Sequence, residues 1–424
     1  MEAVLLFSVL IALIASSIPI GITLGLSTAI CIALTTDIPL VLIAQKCVTG
    51  LDSFPLLAIP FFILAGALMC NGGISKRLVN LAEALVGFIV GGLGMVTVMA
   101  CMFFAAISGS GPATVSAIGS FMIPSMKERG YGAGFASALT AASGTIGVII
   151  PPSIPFVIYC VVAQTSIGDM FIAGIIPGII IGSALMLTAY VIARKRNYVS
   201  HMPPPTFKTV GKAFWDALGA LVVPIIILGG IYGGIFTPTE AAVVAVVYSI
   251  IIGKFVYKEL SNEELYKCFR DTVLINGATQ FMIGLSIAFA SYLSLAQIPA
   301  MIGDALTSMS STPWVIFLLI NIFLLILGCF VDNIAAVIIL APILLPVVQN
   351  LGMHPIQFGV ILTFNLAIGF ITPPYGINLF VASAISGESI EGISVAIIPF
   401  ISAMIVCLLL FTYVPWFSLV LLGL

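Results

Sequence analysis

Ser108-Gly109-Ser110-Gly111-Pro112-Ala113-Thr114 lies in the middle of an apolar run from about residue 91 to 126. The run is long enough to enter a bilayer, yet its centre is made of residues that break helices. Glycine brings backbone freedom, proline lacks an amide hydrogen, and hydroxyl side chains compete for backbone partners. Irregular backbone at membrane depth is tolerated only where it is buried in protein or lines a cavity. Three other segments carry the same anomaly. They are Ser143-Gly144-Thr145-Ile146-Gly147 followed by Pro151-Pro152, then Gly328-Cys329-Phe330-Val331-Asp332-Asn333, then Asn365-Leu366-Ala367-Ile368-Gly369-Phe370-Ile371-Thr372-Pro373-Pro374.

Outward from these breaks, composition fixes the solvent. Of 424 residues, 61% are hydrophobic and 7% charged, against roughly 25% charged in soluble domains. So few charges cannot coat a globule, and apolar runs of span length recur along the chain. Spans are expected at about 3–20, 22–42, 53–72, 132–165, 170–193, 214–236, 239–257, 272–296, 356–385 and 393–420. The apolar N-terminus has no basic n-region and no small-residue cleavage site, so it reads as the first span rather than a cleaved signal. A net charge of −2 without a basic stripe gives no ground for nucleic-acid binding. The eight cysteines are scattered without C-x-x-C spacing and read as small buried hydrophobes.

The basic residues orient the spans. Clusters stand at Lys76-Arg77, Lys127 with Arg129, Arg194-Lys195-Arg196, Lys208 with Lys212, Lys254 with Lys258, and Lys267 with Arg270. If the runs 91–126 and 313–348 are re-entrant hairpins, every cluster faces the cytoplasm, and of the 14 Lys and Arg only Lys46 falls outside. If both runs are full spans, the clusters divide between the two faces. Charge therefore predicts one hairpin from each side and both termini in the periplasm; the expected location is a bacterial inner membrane, crossed many times. Residues 259–267 read as a capped amphipathic helix on the cytoplasmic surface, with a similar one around 76–86. Trp215 and Asp216 open a span near the interface. Thr237-Pro238-Thr239-Glu240 reads as a helix cap, and His201 and His354 as solvated loop residues.

Displaced by 222 residues, the chain matches itself without gaps at Pro124 and Pro346, Gly130 and Gly352, Ile146-Gly147 and Ile368-Gly369, Pro151-Pro152 and Pro373-Pro374, and Pro177 and Pro399. Four matched prolines in one register carry more weight than matched isoleucines in so apolar a chain. The expected fold is an all-α polytopic membrane protein with about ten spanning helices and two re-entrant helical hairpins. Residues 1–196 and 214–424 are expected to form two inverted repeats, joined by a cytoplasmic linker at 197–213 that contains Pro203-Pro204-Pro205. Inverted repeats with broken helices mark secondary transporters whose sites lie near the bilayer midplane.

The four breaks pair across the repeat, first with third and second with fourth. Carbonyls freed by Gly and Pro, together with Ser, Thr and Asn oxygens, suit a hard cation such as Na⁺. The N-termini of resumed half-helices suit an anion. A lone Pro-Pro is equally a kink, and small residues equally let helices approach. Of the 16 acids, Asp332 alone sits well inside a long apolar stretch. Na⁺ ligation, proton coupling and a structural acid at the hairpin tip are the roles open to it. Asn333 beside it serves as a ligand or a cap. The acid-base kit of an enzyme is missing, since Asp332 has no acidic partner and both histidines lie in loops. Broken inverted helices argue against a ring-lined channel, and no G-x-x-x-x-G-K-[ST] loop is present.

The run Ser108-Gly109-Ser110-Gly111-Pro112-Ala113-Thr114-Val115-Ser116-Ala117-Ile118-Gly119 with Met122-Ile123-Pro124 resembles the large membrane subunit of tripartite ATP-independent periplasmic (TRAP) transporters. So do Gly147-Val148-Ile149-Ile150-Pro151-Pro152, Phe236-Thr237-Pro238-Thr239-Glu240 and Gly369-Phe370-Ile371-Thr372-Pro373-Pro374-Tyr375-Gly376. The resemblance covers essentially the whole chain. It implies an elevator-type transporter in which a moving part carries both hairpins past a scaffold. It also implies Na⁺ coupling, with import of an organic acid delivered by a periplasmic substrate-binding protein, and a small four-helix membrane subunit. That subunit is fused to the large one in some members and is expected to be separate here. By the same resemblance, Ser108, Ser110, Ser143, Gly144 and Thr145 would form one Na⁺ site, and Asp332, Asn333, Gly369 and Thr372 the other. Substrate would lie between the tips, near Ser108, Gly111, Pro151, Asn333 and Pro373. The family takes C4-dicarboxylates, sialic acid and other sugar acids, and the chain looks nearest the sialic-acid branch. A stand-alone carboxylate or ion antiporter of the wider elevator superfamily, proton-coupled through Asp332, is the competing expectation.

Overall fold

The computed structural model describes residues 2–16, 18–198, 204–309, 312–374 and 376–424, without the side chains of residues 20 and 304–309. His201, Pro203 and Tyr375 lie outside the described residues. Among those described, every regular element is helical, and seven helices are long and apolar enough to cross a membrane. These are Phe54–Asn71, Ile167–Lys195, Phe207–Tyr232, Pro238–Val256, Asn262–Leu295, Asn333–Asn350 and Ile390–Tyr413. The chain is an all-α polytopic membrane protein.

The helix-breaking segments interrupt helices where the residues dictate. Helix Gly92–Ser108 stops at Gly109, whose φ of 63° is left-handed, and Gly111–Glu128 begins after Ser110. Pro313–Gly328 gives way to Asn333–Asn350, with Asp332 as its N-cap. Between 132 and 165, Ala133–Gly144 tightens into a 3₁₀ turn at Thr145–Val148, breaks at Pro151-Pro152 and resumes as Ile154–Ala163. Likewise Pro355–Gly369 breaks at Pro373-Pro374 and resumes as Ile377–Ser386. Both prolyl-prolyl bonds are cis. The helix bounds follow the sequence offset: moved by 222 residues, Gly111–Glu128 falls on Asn333–Asn350 end to end. Gly130 and Gly352, which follow these helices, are both left-handed at φ 82° and 90°.

The halves pack by exchanging elements. Gly111–Glu128 lies on Ile377–Ser386, and Asn333–Asn350 lies on Ile154–Ala163, so each arm rests on the resumed half-helix of the other half. Ala133–Gly144 runs against Ile390–Tyr413, and Ile167–Lys195 against Pro355–Gly369. Beside this block, Phe54–Asn71 pairs with the helix starting at Pro238. Asn262–Leu295 pairs with Ile20–Thr35 and Val41–Leu51.

Several expected elements are redrawn. One span at 22–42 is in fact Ile20–Thr35, followed by a separate helix Val41–Leu51 with no buried residue. The surface helix expected at 259–267 is capped as read but does not end there. Asn262–Leu295 is one helix of 34 residues, because no Gly or Pro interrupts it before Gly277. The span expected to start at 214 begins at Phe207. His354 is not a free loop residue: half-buried, it caps Pro355–Gly369 by accepting the Ile356 N–H on Nδ1 at 3.2 Å. The cap at Thr237 forms as expected, with Glu240 Oε2 accepting the Thr237 N–H at 2.8 Å.

Candidate functional site

The first and second breaks form one broken pair, centred on a knot of three hydroxyl residues. Thr114 Oγ1 donates to the Ser110 carbonyl at 2.8 Å and shares a 2.9 Å hydrogen bond with Ser108 Oγ. The Ser110 N–H reaches Ser108 Oγ at 3.5 Å. Gly147 sits directly over this knot. A Cβ there would stand 2.5 Å from Thr114 Oγ1 and 2.6 Å from the Ser110 carbonyl oxygen. A Cβ on Gly144 would stand 3.1 Å from the Gly111 carbonyl, and one on Gly111 3.3 Å from the Gly144 carbonyl. The Ile154 N–H donates to the Gly109 carbonyl at 3.2 Å, stitching the tip to the resumed half-helix. Carbonyl oxygens of Ser110, Gly111 and Gly144 thus gather with two hydroxyls in one small volume.

Ser108, Ser110, Gly111 and Gly144 are therefore brought together; Pro151 is buried, and the carbonyl of its neighbour Pro152 stands 2.8 Å from where a Gly109 Cβ would lie. Ser143 and Thr145 are fully buried, but their hydroxyls donate to Leu139 and Ala142 carbonyls of their own helix at 2.7 and 2.6 Å. What they offer outward is backbone. Thr114 is a further member of this cluster, to which the residue pattern alone assigns no role. Its position four residues after Ser110 at a helix start was the available signal.

The third and fourth breaks form the second broken pair, closed by two glycines. A Cβ on Gly369 would run into the carbonyl of Gly328, so only glycine lets the two backbones touch. Asp332 Oδ2 accepts the Ile334 N–H at 3.0 Å, the ordinary work of an N-cap carboxylate. Asn333 is 1% exposed, and neither atom of its amide has a partner among the described residues. A buried unpaired amide is costly, so Asn333 is the polar group here most in need of a ligand. Asn365, also fully buried, donates to Asn321 Oδ1 at 2.8 Å, while its own Oδ1 has no partner among the described residues. Asn321 passes the chain on to Thr412 Oγ1 at 2.9 Å. Thr372 donates to the Ile368 carbonyl at 2.8 Å, and Pro373 is exposed at the rim.

The two pairs meet. The Phe370 ring lies 3.2 Å from where a Gly111 Cβ would be. A cavity of about 340 Å³ opens beside them, lined by Ser108 and Ser110 of the first break, Ser116 of the helix after it, and Ile334 of the helix after the third. Its opposite wall is Asn71 and Thr279, from helices outside the block. No lining residue is charged. Larger clefts of about 690 Å³ at Lys76 and Trp215, and about 740 Å³ at Asp169 and Tyr232, touch none of the four breaks.

Residues 7–417 match the family described as "Tripartite ATP-independent periplasmic transporter, DctM component". The chain belongs to that family. This DctM component is 47% identical over 398 residues to the isethionate TRAP transporter permease protein DctMQ of Oleidesulfovibrio alaskensis. The match covers 94% of this chain and 63% of that longer protein. It is 42% identical to the C4-dicarboxylate TRAP transporter large permease protein DctM of Pseudomonas aeruginosa, over 94% of this chain and 93% of that one. It is 38% identical to the sialic acid TRAP transporter large permease protein SiaM of Vibrio cholerae, over 97% and 96%. In fold, the DctM component is similar to the YdaH transporter of Alcanivorax borkumensis. There the TM-score is 0.61 at 15% identity, over 90% of this chain and 88% of that one.

Proposed function

We propose that this chain is the membrane subunit that carries a small organic anion inward by Na⁺ symport in an elevator-type cycle. The observation that carries the reading is the meeting of two broken helix pairs, one from each half, with clustered carbonyls in the first and buried amides without a partner among the described residues in the second, beside an uncharged cavity that Ser108, Ser110 and Ile334 line. Such oxygens hold a small cation without a compensating charge, and half-helix N-termini then meet the anion. One Na⁺ would be held by Ser108, Ser110, Ser143, Gly144 and Thr145, largely through carbonyls. The other would be held by Asp332, Asn333, Gly369 and Thr372. The substrate would lie against Ser108, Gly111, Pro151, Asn333 and Pro373. Relatives whose names specify isethionate, C4-dicarboxylates and sialic acid support an organic acid as cargo. Identity is higher to the first two than to the third.

In this reading residues 1–196 and 214–424 are inverted repeats, the broken pairs enter from opposite sides, and both termini are periplasmic. A periplasmic binding protein delivers the substrate, and a small four-helix membrane subunit completes the transporter.

The test is uptake of labelled isethionate, succinate and sialic acid into proteoliposomes holding this chain, its small membrane partner and its binding protein, with and without an inward Na⁺ gradient. Uptake is expected to need Na⁺ and the binding protein. Asp332→Ala is expected to lower it by about tenfold or more, the scale of one lost charge-assisted contact. Uptake driven by a pH gradient and indifferent to Na⁺ would sink the Na⁺ assignment. Uptake without any binding protein would make the chain a self-sufficient carrier.

A further inference from the structure

One side chain ties the two broken pairs together. Asn378 lies in the first turn of Ile377–Ser386, fully buried. Its backbone N–H donates at 3.0 Å to the carbonyl of Phe370, which stands between Gly369 and Ile371 in the fourth break. Its side-chain Nδ2 donates at 3.0 Å to the carbonyl of Ala141, in the last turn of Ala133–Gly144 where the second break begins. The same nitrogen stands 3.4 Å from where a Gly144 Cβ would lie. The loop closes on the other side, where the Phe370 ring packs over Gly111. Asn378 Oδ1 is buried with no partner among the described residues, so the amide's whole hydrogen bonding is spent on Ala141.

Packing alone does not require an asparagine here. At the corresponding position of the first half stands Phe156, fully buried, in a half-helix that packs on the other repeat without any such amide. The polar strut is present in one half only, and it joins the carbonyl ladder of one break to that of the other.

We propose that Asn378 is a positioning residue that makes occupancy of the two ion sites cooperative; this rests on the Na⁺ reading above. An ion that draws the Gly144 carbonyl inward moves the turn that contains Ala141. Asn378 passes that displacement to the Phe370 carbonyl, within the ligand turn of the other site. Linkage makes the effect reciprocal: each ion tightens the other by the same factor. The strut is a contiguous chain of hydrogen bonds, the physical form such coupling takes.

The experiment is Na⁺ titration of uptake by the reconstituted complex holding wild type, Asn378→Leu or Asn378→Ser. Wild type is expected to respond sigmoidally. Asn378→Leu keeps the bulk and loses the donor, and is expected to respond hyperbolically. Its half-saturating Na⁺ should rise roughly fivefold or more, the low end of ordinary coupling, with uptake at saturating Na⁺ within about twofold of wild type. Asn378→Ser retains a shorter donor and should fall between. If Asn378→Leu does not fold, the serine variant decides, read as the Na⁺ dependence of the thermal midpoint of purified protein. An unchanged Hill coefficient overturns the proposal. So does a fall in saturating uptake at unchanged Na⁺ dependence, which is all a structural role would give. A wild type that is Na⁺-dependent but hyperbolic overturns the coupling alone, whereas a wild type indifferent to Na⁺ removes the symport reading as well.

Discussion

Gly147 and Gly369 show how single residues set the site. At both, a β-carbon would collide with an oxygen of the facing break, Thr114 Oγ1 and the Ser110 carbonyl in one case and the Gly328 carbonyl in the other. Gly147→Ala and Gly369→Ala are expected to destabilise by about 1–3 kcal/mol, the usual cost of overpacking, and to abolish uptake because the carbonyls are pushed apart. Gly277 is the contrast: it lies inside Asn262–Leu295 with nothing within 4 Å of its missing Cβ. Gly277→Ala is expected to raise stability by up to about 1 kcal/mol through helix propensity. Thermal unfolding in detergent measures all three. Asp332 was legible in the sequence because a carboxylate in an apolar run is conspicuous by itself. Asn378 was not, since its meaning depends on Ala141, 237 residues away in the chain.

At the scale of elements, the sequence spoke clearly where glycine and proline stop a helix and poorly where only polarity changes. The four breaks fall where helix-breaking residues cluster, and one offset relates both sets. The charged segment Glu259-Leu260-Ser261-Asn262-Glu263-Glu264-Leu265-Tyr266-Lys267 suggested a separate surface helix, because charge and apolar runs rarely share a span. Here they do. The helix is long enough to carry its charged end out of the bilayer and continue inward without a break. Its start is held by Ser261 Oγ, which accepts the Glu264 N–H at 3.1 Å, and by Glu264 Oε2, which accepts the Ser261 N–H at 2.9 Å. Ser261→Ala is expected to cost about 1 kcal/mol of stability while leaving uptake intact, because the cap is remote from the breaks. A loss of uptake at unchanged melting temperature would mean that this end of the helix takes part in transport.

For the molecule as a whole, the strongest sequence signal is charge asymmetry, and it makes a claim about sidedness that the helix packing alone does not. Gly111–Glu128 and Asn333–Asn350 correspond end to end, and each lies on the other half's resumed half-helix. That exchange is natural for two units related by an axis in the membrane plane, which sends corresponding points to opposite faces. Arg129 and Asn350 are exposed at the ends of these two helices. In a cysteine-free background, Arg129→Cys is expected to react with a membrane-impermeant maleimide only after the cells are permeabilised. Asn350→Cys is expected to react from outside in intact cells. Lys208→Cys and Lys46→Cys, both exposed, calibrate the two faces, the first with Arg129 and the second with Asn350. If Arg129→Cys and Asn350→Cys react from the same side, the repeats are parallel rather than inverted. The confinement of the basic clusters to one face then fails with them, since it was the hairpins entering from opposite sides that put those clusters together.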